Sequence, residues 1–155
     1  MTKLSYYKSP WGVLCIEDNC QEIVSLRLAC DNDFVEANDS PLILKFKSQL
    51  DEYFEGKRLV FDIPHKANGT EFQQRVWQAL SEIPYGRTCS YKQIAIQIGN
   101  AKASRAVGLA CNKNPLLLII PCHRVIASSG NLTGYTGGLV MKESLLKLEN
   151  LHKTV

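Results

Sequence analysis

Short apolar segments alternate with polar turns at the start of the chain. Residues 13–16 and 23–28 are rich in valine, isoleucine and leucine, and the polar residues 17–19 follow the first of these segments. Short apolar runs bounded by turn residues are typical of β-strands. The pattern therefore predicts strands within residues 4–28, including a hairpin.

From Ser40 onward, the apolar spacing changes to that of a helix. Ser40 followed by Pro41 is a typical helix start, and Gly56 is a typical stop. Apolar residues recur at every fourth position, at Leu42, Phe46, Leu50 and Phe54. The spacing predicts a helix over residues 40–55 with these four side chains on its buried face.

Residues 62–69 are predicted to connect two lobes. They include Pro64, Asn68 and Gly69, which favour turns over regular structure. We expect an α/β (α+β) fold, with a small strand-rich N-terminal lobe over residues 1–66 and a mostly helical C-terminal lobe over residues 67–155.

The C-terminal lobe carries the signals of several helices. Thr70 is a candidate N-cap for a helix that ends before Pro84, and a shorter helix over residues 90–98 stops at Gly99. Another helix follows over about residues 102–113. A helix, a tight glycine turn and a second helix are typical of a helix-turn-helix, although an ordinary helical hairpin has the same pattern.

The second helix of this pair is unusual for its small side chains: Ala101, Ala103, Ser104, Ala106, Gly108 and Ala110. A helical glycine costs up to ~1 kcal/mol relative to alanine, so Gly108 needs a compensating role. Close packing against a neighbouring helix is one explanation. Close approach to DNA is the other explanation. A helix with ordinary side chains is about 10–12 Å across and cannot enter a minor groove about 6 Å wide, whereas a helix with a face of small residues can lie against the groove.

Composition limits the chemistry that the chain can support. Its 155 residues fit one globular domain or one domain with a small companion. The six cysteines are too few for a disulfide scaffold, and their spacing fits no metal site. We expect free thiols, no metal and no cofactor. The start of the chain lacks an apolar signal-peptide core, which favours a reducing, cytoplasmic setting.

The charge and hydropathy patterns leave DNA as a candidate partner and argue against a membrane. The formal net charge of +3 permits binding to nucleic acid without requiring it. The longest apolar run, residues 116–120, is far shorter than the ~20 residues of a membrane-spanning helix. We expect a monomer that binds no membrane.

Cys122 and His123 are the strongest candidates for chemistry. They follow the apolar run 116–120, which should carry them out of a core. A thiolate is a strong nucleophile, and a nearby base increases its population. The competing interpretation is a buried structural cysteine beside an ordinary surface histidine, since free cysteine is commonly buried.

Five ordered blocks of sequence decide between these interpretations. Residues 114–126 contain the motif Ile-Pro-Cys-His-Arg-Val, and they are followed by Gly-Tyr-Thr-Gly-Gly at 134–138 and Lys-Glu-Ser-Leu-Leu-Lys-Leu-Glu at 142–149. These blocks resemble the active-site half of the O6-alkylguanine-DNA alkyltransferases, and residues 90–95 and 104–110 resemble the family's helix-turn-helix. The resemblance runs from roughly Phe72 to Glu149. It is weaker in the N-terminal third, where residues 9–12 carry it.

The resemblance implies a reaction and three catalytic residues. Cys122 would take the alkyl group from O6-alkylguanine in DNA, and O4-alkylthymine stays open as a second substrate. His123 would act as the base through a bridging water, and Glu149 would orient the histidine. A thioether offers water no easy leaving group, so each molecule would react once.

The resemblance also implies how double-stranded DNA is held without sequence specificity. The small-faced helix would lie in the minor groove and the damaged nucleotide would be flipped into a pocket. Arg105 would replace the flipped base, and Tyr91 would help to rotate the nucleotide through its 3′ phosphate. In isolation, Tyr91 would be a packing aromatic and Arg105 a solvated cation.

Four further residues are assigned to the pocket by the resemblance. Tyr135 would donate a hydrogen bond to the departing guanine, and the backbone of Thr136 would meet its O6. Asn114 would hold the loops around Cys122. Arg124 would either orient the loop or contact phosphate.

Three alternative functions are compatible with parts of the sequence. A non-catalytic damage-binding protein of the same fold would lack the reactive cysteine, which is present here as Cys122. A cysteine hydrolase using Cys122, His123 and Glu149 would leave the helix-turn-helix without a purpose. A transcriptional regulator would carry long polar side chains on its recognition helix, where this chain has small ones.

Overall fold

An antiparallel sheet forms the start of the N-terminal lobe. The computed structural model describes residues 3–29, 39–132, 134–135 and 137–153. Strands β1 (Lys3–Ser9), β2 (Gly12–Asp18) and β3 (Ile23–Leu28) pair in the order β1-β2-β3. The predicted hairpin is confirmed by the pairing of β2 with β3. Together with the helices described below, this sheet gives the expected α/β class.

The first helix begins and ends where its sequence signals predict, but its buried face differs. Helix α1 (Pro41–Phe54) is capped by the Ser40 hydroxyl, and Gly56 follows it with a φ of +77°. Leu42 and Phe54 are only partly buried, because four residues turn a helix about 40° beyond a full turn and the predicted stripe drifts off the core. The buried residues are Ile43, Phe46, Gln49, Leu50 and Tyr53.

Four helices and a short parallel strand pair build the C-terminal lobe. They are α2 (Glu71–Ser81), β4 (Cys89–Ser90), α3 (Tyr91–Gln97), α4 (Ser104–Asn112), β5 (Val125–Ile126) and α5 (Leu139–His152). Thr70 and Ser90 each form a capping box at the start of a helix. Gly99, with a φ of +85°, allows the tight turn between α3 and α4. The predicted helix-turn-helix pair is therefore present.

The start of α4 differs from prediction. Helix α4 begins at Ser104, about two residues later than expected, because residues 100–103 form a turn in which the Ala103 amide donates to the Asn100 carbonyl. Helix α5 extends three residues beyond residues 142–149 at each end.

Strand β3 holds the segment that leads to Cys122. The Leu26 amide donates to the Pro115 carbonyl at 2.8 Å, and the Leu117 amide donates back to the Leu26 carbonyl at 3.1 Å. On the same strand, Ile23 exchanges hydrogen bonds with the segment around His65. The β3 edge of the sheet is thereby covered, and the N-terminal lobe positions the reactive segment.

The apolar run 116–120 does not carry Cys122 out of the core, contrary to the sequence-based expectation. The run folds through tight turns, with Leu118 at a φ of +70°, and four of its five side chains are buried. Cys122 consequently remains buried, with 4% of its surface exposed. The hydrogen bonds to β3 and within the turns hold the run in place.

Candidate active site

Cys122 lies in a single turn of 3₁₀-helix, Cys122–Arg124, which is held by a buried asparagine. The Asn114 amide nitrogen donates to the Ile120 carbonyl at 2.8 Å and to the Cys122 Sγ at 3.2 Å. The Asn114 side-chain oxygen accepts from the Leu116 amide at 2.9 Å. Both ends of the apolar run are thus fixed by one side chain.

His123 is fully buried and forms a short contact with Glu149. Its Nε2 lies 2.7 Å from Oε2 of the carboxylate. Burial lowers the pKa of His123 more than Glu149 raises it, which favours the neutral ring. Since an ionised carboxylate only accepts, Nε2 carries the proton and Nδ1 keeps a lone pair. Nδ1 is buried and has no hydrogen-bond partner among the described residues.

Arg124 fixes the same carboxylate from the other side. Its Nε and Nη2 donate to the two Glu149 oxygens at 2.8 and 3.0 Å, and its Nη1 donates to the Ile83 carbonyl at 2.8 Å. Burial acts to raise the pKa of Glu149. The hydrogen bonds and charges of His123 and Arg124 outweigh burial and hold that pKa well below its usual range.

A tyrosine from the N-terminal lobe also donates to this carboxylate. The Tyr53 hydroxyl, on α1, donates to Glu149 Oε2 at 2.6 Å, and both side chains are almost fully buried. Oε2 thus accepts from Tyr53, His123 and Arg124. Sequence reasoning missed Tyr53 because the predicted buried face of α1 was centred elsewhere. Tyr53 lies seven residues after Phe46, which is two helical turns and therefore the same face.

The Cys122 thiol is protonated at rest and has a buried cation in its surroundings. Burial raises the pKa of Cys122 to about 11, although the Asn114 hydrogen bond and the positive charge of Lys142 both act to lower it. Lys142 is fully buried on α5, and its Nζ lies 5.9 Å from the centre of the Tyr91 ring. Sequence reasoning missed Lys142 as well, since a helical lysine is normally solvated.

The Tyr135 hydroxyl is also buried near the histidine. Its ring centre lies 6.5 Å from that of His123, and its hydroxyl has no hydrogen-bond partner among the described residues. A Cβ at Gly137 would lie 2.7 Å from the Tyr135 ring and from the Met141 sulfur, so this position requires glycine. Thr136 lies outside the described residues.

An open groove of about 500 Å³ runs along α4. It is lined by Tyr91, Ser104, Arg105, Gly108, Leu109, Asn112 and Gly134. A Cβ at Gly108 would meet only the Tyr91 ring at an ordinary 3.8 Å, so helix packing does not require glycine there. The small surface of α4 faces this groove, and Arg105 is exposed beside it.

The described residues hold no alternative centre for metal or disulfide chemistry. Within them, no group of three or more histidine, cysteine or acidic side chains could bind a metal ion. The described cysteines form no disulfide: Cys15, Cys20, Cys89, Cys111 and Cys122. None of the helices in these ranges is long and apolar enough to cross a membrane.

Two family models match the two lobes of the chain. The 6-O-methylguanine DNA methyltransferase DNA-binding domain matches residues 71–151, which are more than half of the chain. The chain belongs to the 6-O-methylguanine DNA methyltransferase family. The family's ribonuclease-like domain matches residues 2–67.

Individual members of the methyltransferase family are similar over much of the chain. The methylated-DNA–protein-cysteine methyltransferase of Methanosarcina barkeri is 60% identical over 101 residues, which are 65% of this chain and 64% of that relative. The Mycobacterium leprae protein of the same name is 60% identical over 102 residues, covering 66% and 62%. The matched segments therefore span slightly less than two-thirds of these relatives.

Solved structures of the same family are similar over nearly the whole chain. The Mycobacterium tuberculosis O6-methylguanine methyltransferase superposes with a TM-score of 0.89 at 42% identity, covering 99% of this chain and 96% of that one. The M. tuberculosis OGT in complex with DNA superposes with a TM-score of 0.86 at 44% identity, covering 95% and 92%.

The structure brings most of the residues named from the family resemblance into two adjoining groups. Around the thiol and the carboxylate lie Cys122, His123, Glu149, Asn114, Arg124 and Tyr135. Tyr91 and Arg105 line the groove instead. Lys142 connects the two groups, because its Nζ lies over the Tyr91 ring and its positive charge acts to lower the pKa of Cys122.

Proposed function

We propose that this protein repairs DNA by transferring the alkyl group of O6-alkylguanine to Cys122, once per molecule. The observation that carries the proposal is the arrangement of His123, whose Nε2 is held by Glu149 while its buried Nδ1 is left as a base next to the cysteine turn. Membership of the methyltransferase family and the similarity to a relative in complex with DNA support the same conclusion.

The proton of the thiol must leave before the sulfur can attack. Cys122 and His123 are consecutive in the turn, and a bridging water would carry the proton from Sγ to Nδ1. The resulting imidazolium is stabilised by the Glu149 carboxylate at 2.7 Å. The depressed pKa of Glu149 keeps that carboxylate ionised throughout.

The transfer step is an in-line displacement at the alkyl carbon. The Cys122 thiolate forms the S–C bond, and the O6–C bond breaks with its electron pair moving to the guanine. The Tyr135 hydroxyl donates a hydrogen bond to the departing base. The guanine then takes up the proton that the thiol released, so the products are a neutral guanine and a Cys122 thioether.

Asn114 and Arg124 are positioning residues in this scheme. Asn114 holds the Cys122 turn and donates to the sulfur, which stabilises the thiolate. Of the two roles open to Arg124, orienting the loop is favoured, because its buried guanidinium is bound to Glu149 and Ile83. Contact with phosphate would require breaking these bonds.

The groove along α4 is proposed as the minor-groove surface for DNA. Because Gly108 has no side chain, the DNA backbone can approach α4 closely at this position. The exposed Arg105 can enter the space that a flipped base leaves. Tyr91 lines the groove next to the site, where it can guide the nucleotide. Such contacts hold damaged DNA regardless of its sequence.

The remaining parts of the proposal concern substrate range and setting. O4-alkylthymine is a second possible substrate, and the backbone of Thr136 is proposed to meet O6. A buried reactive thiol requires a reducing compartment, so we place the protein in the cytoplasm, where it would act as a monomer.

Intact-protein mass spectrometry with peptide mapping tests the proposed function directly. The protein is mixed with excess duplex DNA that carries one O6-methylguanine. We expect one methyl group on Cys122, saturating at one per molecule, and none in Cys122→Ala, which should still bind the DNA. An unmodified protein that binds the duplex would instead indicate a non-catalytic damage sensor, and repeated turnover would indicate a hydrolase.

Arg105→Ala tests the proposed DNA surface in the same assay. Loss of the exposed guanidinium should weaken DNA binding and slow transfer together. Binding is measured by fluorescence anisotropy on the same duplex. Unchanged binding and transfer would contradict the role given to the groove.

A further inference from the structure

The buried contact between Tyr53 and Glu149 joins the two lobes at the centre of the site. The Tyr53 hydroxyl donates to Glu149 Oε2 at 2.6 Å across 96 positions of sequence, and each side chain is 1% exposed. A buried bond between groups so far apart in sequence exists only when both lobes are packed together. The N-terminal lobe therefore contributes a polar atom to the cluster around His123.

The Tyr53 ring is fixed in place by other aromatic rings. The ring centres of Phe54, Phe61 and Tyr85 lie 5.4, 5.2 and 6.2 Å from that of Tyr53. Such packing leaves the hydroxyl little freedom to turn away from the carboxylate. Burial raises the pKa of Tyr53 well above its ordinary value, so its hydroxyl remains a donor at every working pH.

The oxygen that Tyr53 contacts is the one that holds the histidine. Glu149 Oε2 accepts from His123 Nε2 at 2.7 Å and from Arg124 Nη2 at 3.0 Å in addition to Tyr53. Each hydrogen bond to an ionised carboxylate stabilises its charge and makes the oxygen less basic. The donors that share Oε2 therefore each reduce the attraction that this oxygen exerts on the others. The strength with which Glu149 stabilises a protonated His123 therefore depends on the Tyr53 hydroxyl.

We propose that Tyr53 is a positioning residue for alkyl transfer, whose hydroxyl fixes the direction of the Glu149 carboxylate and limits its pull on the His123 proton. This proposal rests on the proposed function, because it concerns the same proton relay. It makes the N-terminal lobe a working part of the site and gives α1 a role beyond packing.

The direction of the expected pH effect follows from the groups around His123. From α5 come the Glu149 carboxylate, which favours the imidazolium, and Lys142, which disfavours it; Arg124, from the same turn, also disfavours it. Tyr135 faces the ring from the loop before α5, and Cys122 precedes it in the turn. Removing the Tyr53 hydroxyl leaves more negative charge on Oε2, so the pKa of His123 should rise.

Tyr53→Phe is the direct test. His123 must be neutral to accept the thiol proton, so a raised pKa should move the acid limb of the rate profile to higher pH. Loss of the fixed direction of the Glu149 carboxylate should separately lower the single-turnover rate at neutral pH about threefold to tenfold, the size expected for one lost hydrogen bond. The rates are measured by quenched-flow transfer of methyl from O6-methylguanine DNA between acidic and mildly alkaline pH.

Tyr7→Phe is the matched control for effects on stability. The Tyr7 hydroxyl donates to Asp51 at the same 2.6 Å and from the same lobe, but it does not reach Glu149. We expect Tyr7→Phe to retain the wild-type pH profile. An equal change in both variants would reduce the role of Tyr53 to general stability of the lobe.

NMR titration of the histidine rings provides a readout that needs no activity. The chain has three histidines, so His65 and His152 serve as internal references for His123. The His123 titration should move to higher pH in Tyr53→Phe and stay in place in Tyr7→Phe. An unmoved His123 titration together with an unmoved rate profile would overturn the proposal.

A second substitution keeps the test decisive if Tyr53→Phe does not fold. Incorporating 3-fluorotyrosine at position 53 alone preserves the ring and makes the hydroxyl a stronger donor. The His123 titration should then move to lower pH, and no movement would contradict the proposal. A wild-type protein that fails to transfer methyl would refute the proposed function separately, while the titration would still report on Tyr53.

Discussion

Lys142 carries a positive charge in the interior of the protein, where it acts to lower the pKa of the Cys122 thiol. Replacing Lys142 with Met keeps an unbranched side chain of similar size and removes the charge. Because Lys142 acts to lower the pKa of Cys122, the thiol should become less acidic and transfer at neutral pH should slow by about tenfold for each pKa unit gained. Single-turnover rates measured against pH check this expectation.

The matched control for that substitution lies on the outer face of the same helix. Lys147 is exposed and pairs with Glu143 at 3.1 Å, so Lys147→Met should leave the transfer rate unchanged. Urea unfolding of both variants shows whether a change in transfer rate comes from lost charge or from lost stability. Equal rates in the wild type and Lys142→Met would exclude an electrostatic role.

The family motif could predict the chemistry of Cys122 and His123, but not the burial of the residues that assist them. The cysteine, the histidine and Asn114 stand close together in sequence, so a motif can reveal them. Lys142 and Tyr53 act through packing that only the fold creates. A lysine on a helix is ordinarily predicted to be solvated, and the amphipathic pattern gives no sign that this one is covered.

We expect Gly108 to lower the stability of α4 and to favour DNA binding by the groove. Gly108→Ala adds a Cβ that meets only the Tyr91 ring at an ordinary distance, so the helix should gain up to about 1 kcal/mol of unfolding free energy. The same methyl group projects into the groove and should weaken DNA binding. Chemical denaturation and anisotropy titration measure the two effects.

Replacing Gly99, in the turn between α3 and α4, should have the opposite effect on stability. Its φ of +85° is unfavourable for alanine, so Gly99→Ala should lower the unfolding free energy by about 1 kcal/mol. If Gly108→Ala were destabilising as well, close helix packing would be the reason for glycine at position 108. Tighter DNA binding by Gly108→Ala would rule out the groove as the binding surface.

Helix bounds were predictable where a side chain caps the first turn. Ser40, Thr70 and Ser90 each accept a backbone hydrogen bond, and the helices that follow them begin as predicted. Helix α4 has no side-chain cap, and its start was predicted about two residues too early. The buried face of α1 was misjudged because a spacing of four residues approximates a helical period of about 3.6.

The whole molecule should lose stability in acid through Glu149. Its folded pKa lies below the unfolded value of about 4.3, so its contribution is present above that pH and is lost as the pH falls through the folded pKa. Urea unfolding of the wild type should therefore weaken from about pH 5 downward. Glu149→Gln should be less stable at neutral pH by about 3–5 kcal/mol and less dependent on acid.

Glu143→Gln tests whether the acid effect belongs to Glu149. Glu143 is exposed on the same helix, so its replacement should preserve the acid dependence of the wild type. A Glu149→Gln protein with the full wild-type dependence would assign the effect to other carboxylates.

The two-lobe arrangement was predictable at the scale of the molecule, whereas the contacts between the lobes were not. The turn-forming residues within 62–69 predict a connection between an N-terminal part and a C-terminal part. The pairing of Leu26 with residues 115–117 depends on which strand edge is left uncovered. That choice is settled by the packing of the whole chain, which no local pattern describes.

The long sequence separation between Tyr53 and Glu149 also bears on the order of folding. Contacts between distant parts of a chain form late, because closing a long loop costs conformational entropy before the contact stabilises it. The carboxylate that orients His123 lies near the end of the sequence and docks against a helix from its first third. Under the proposed alkyl transfer, a newly made chain therefore contains its nucleophile before Glu149 is in place to orient the base that activates it.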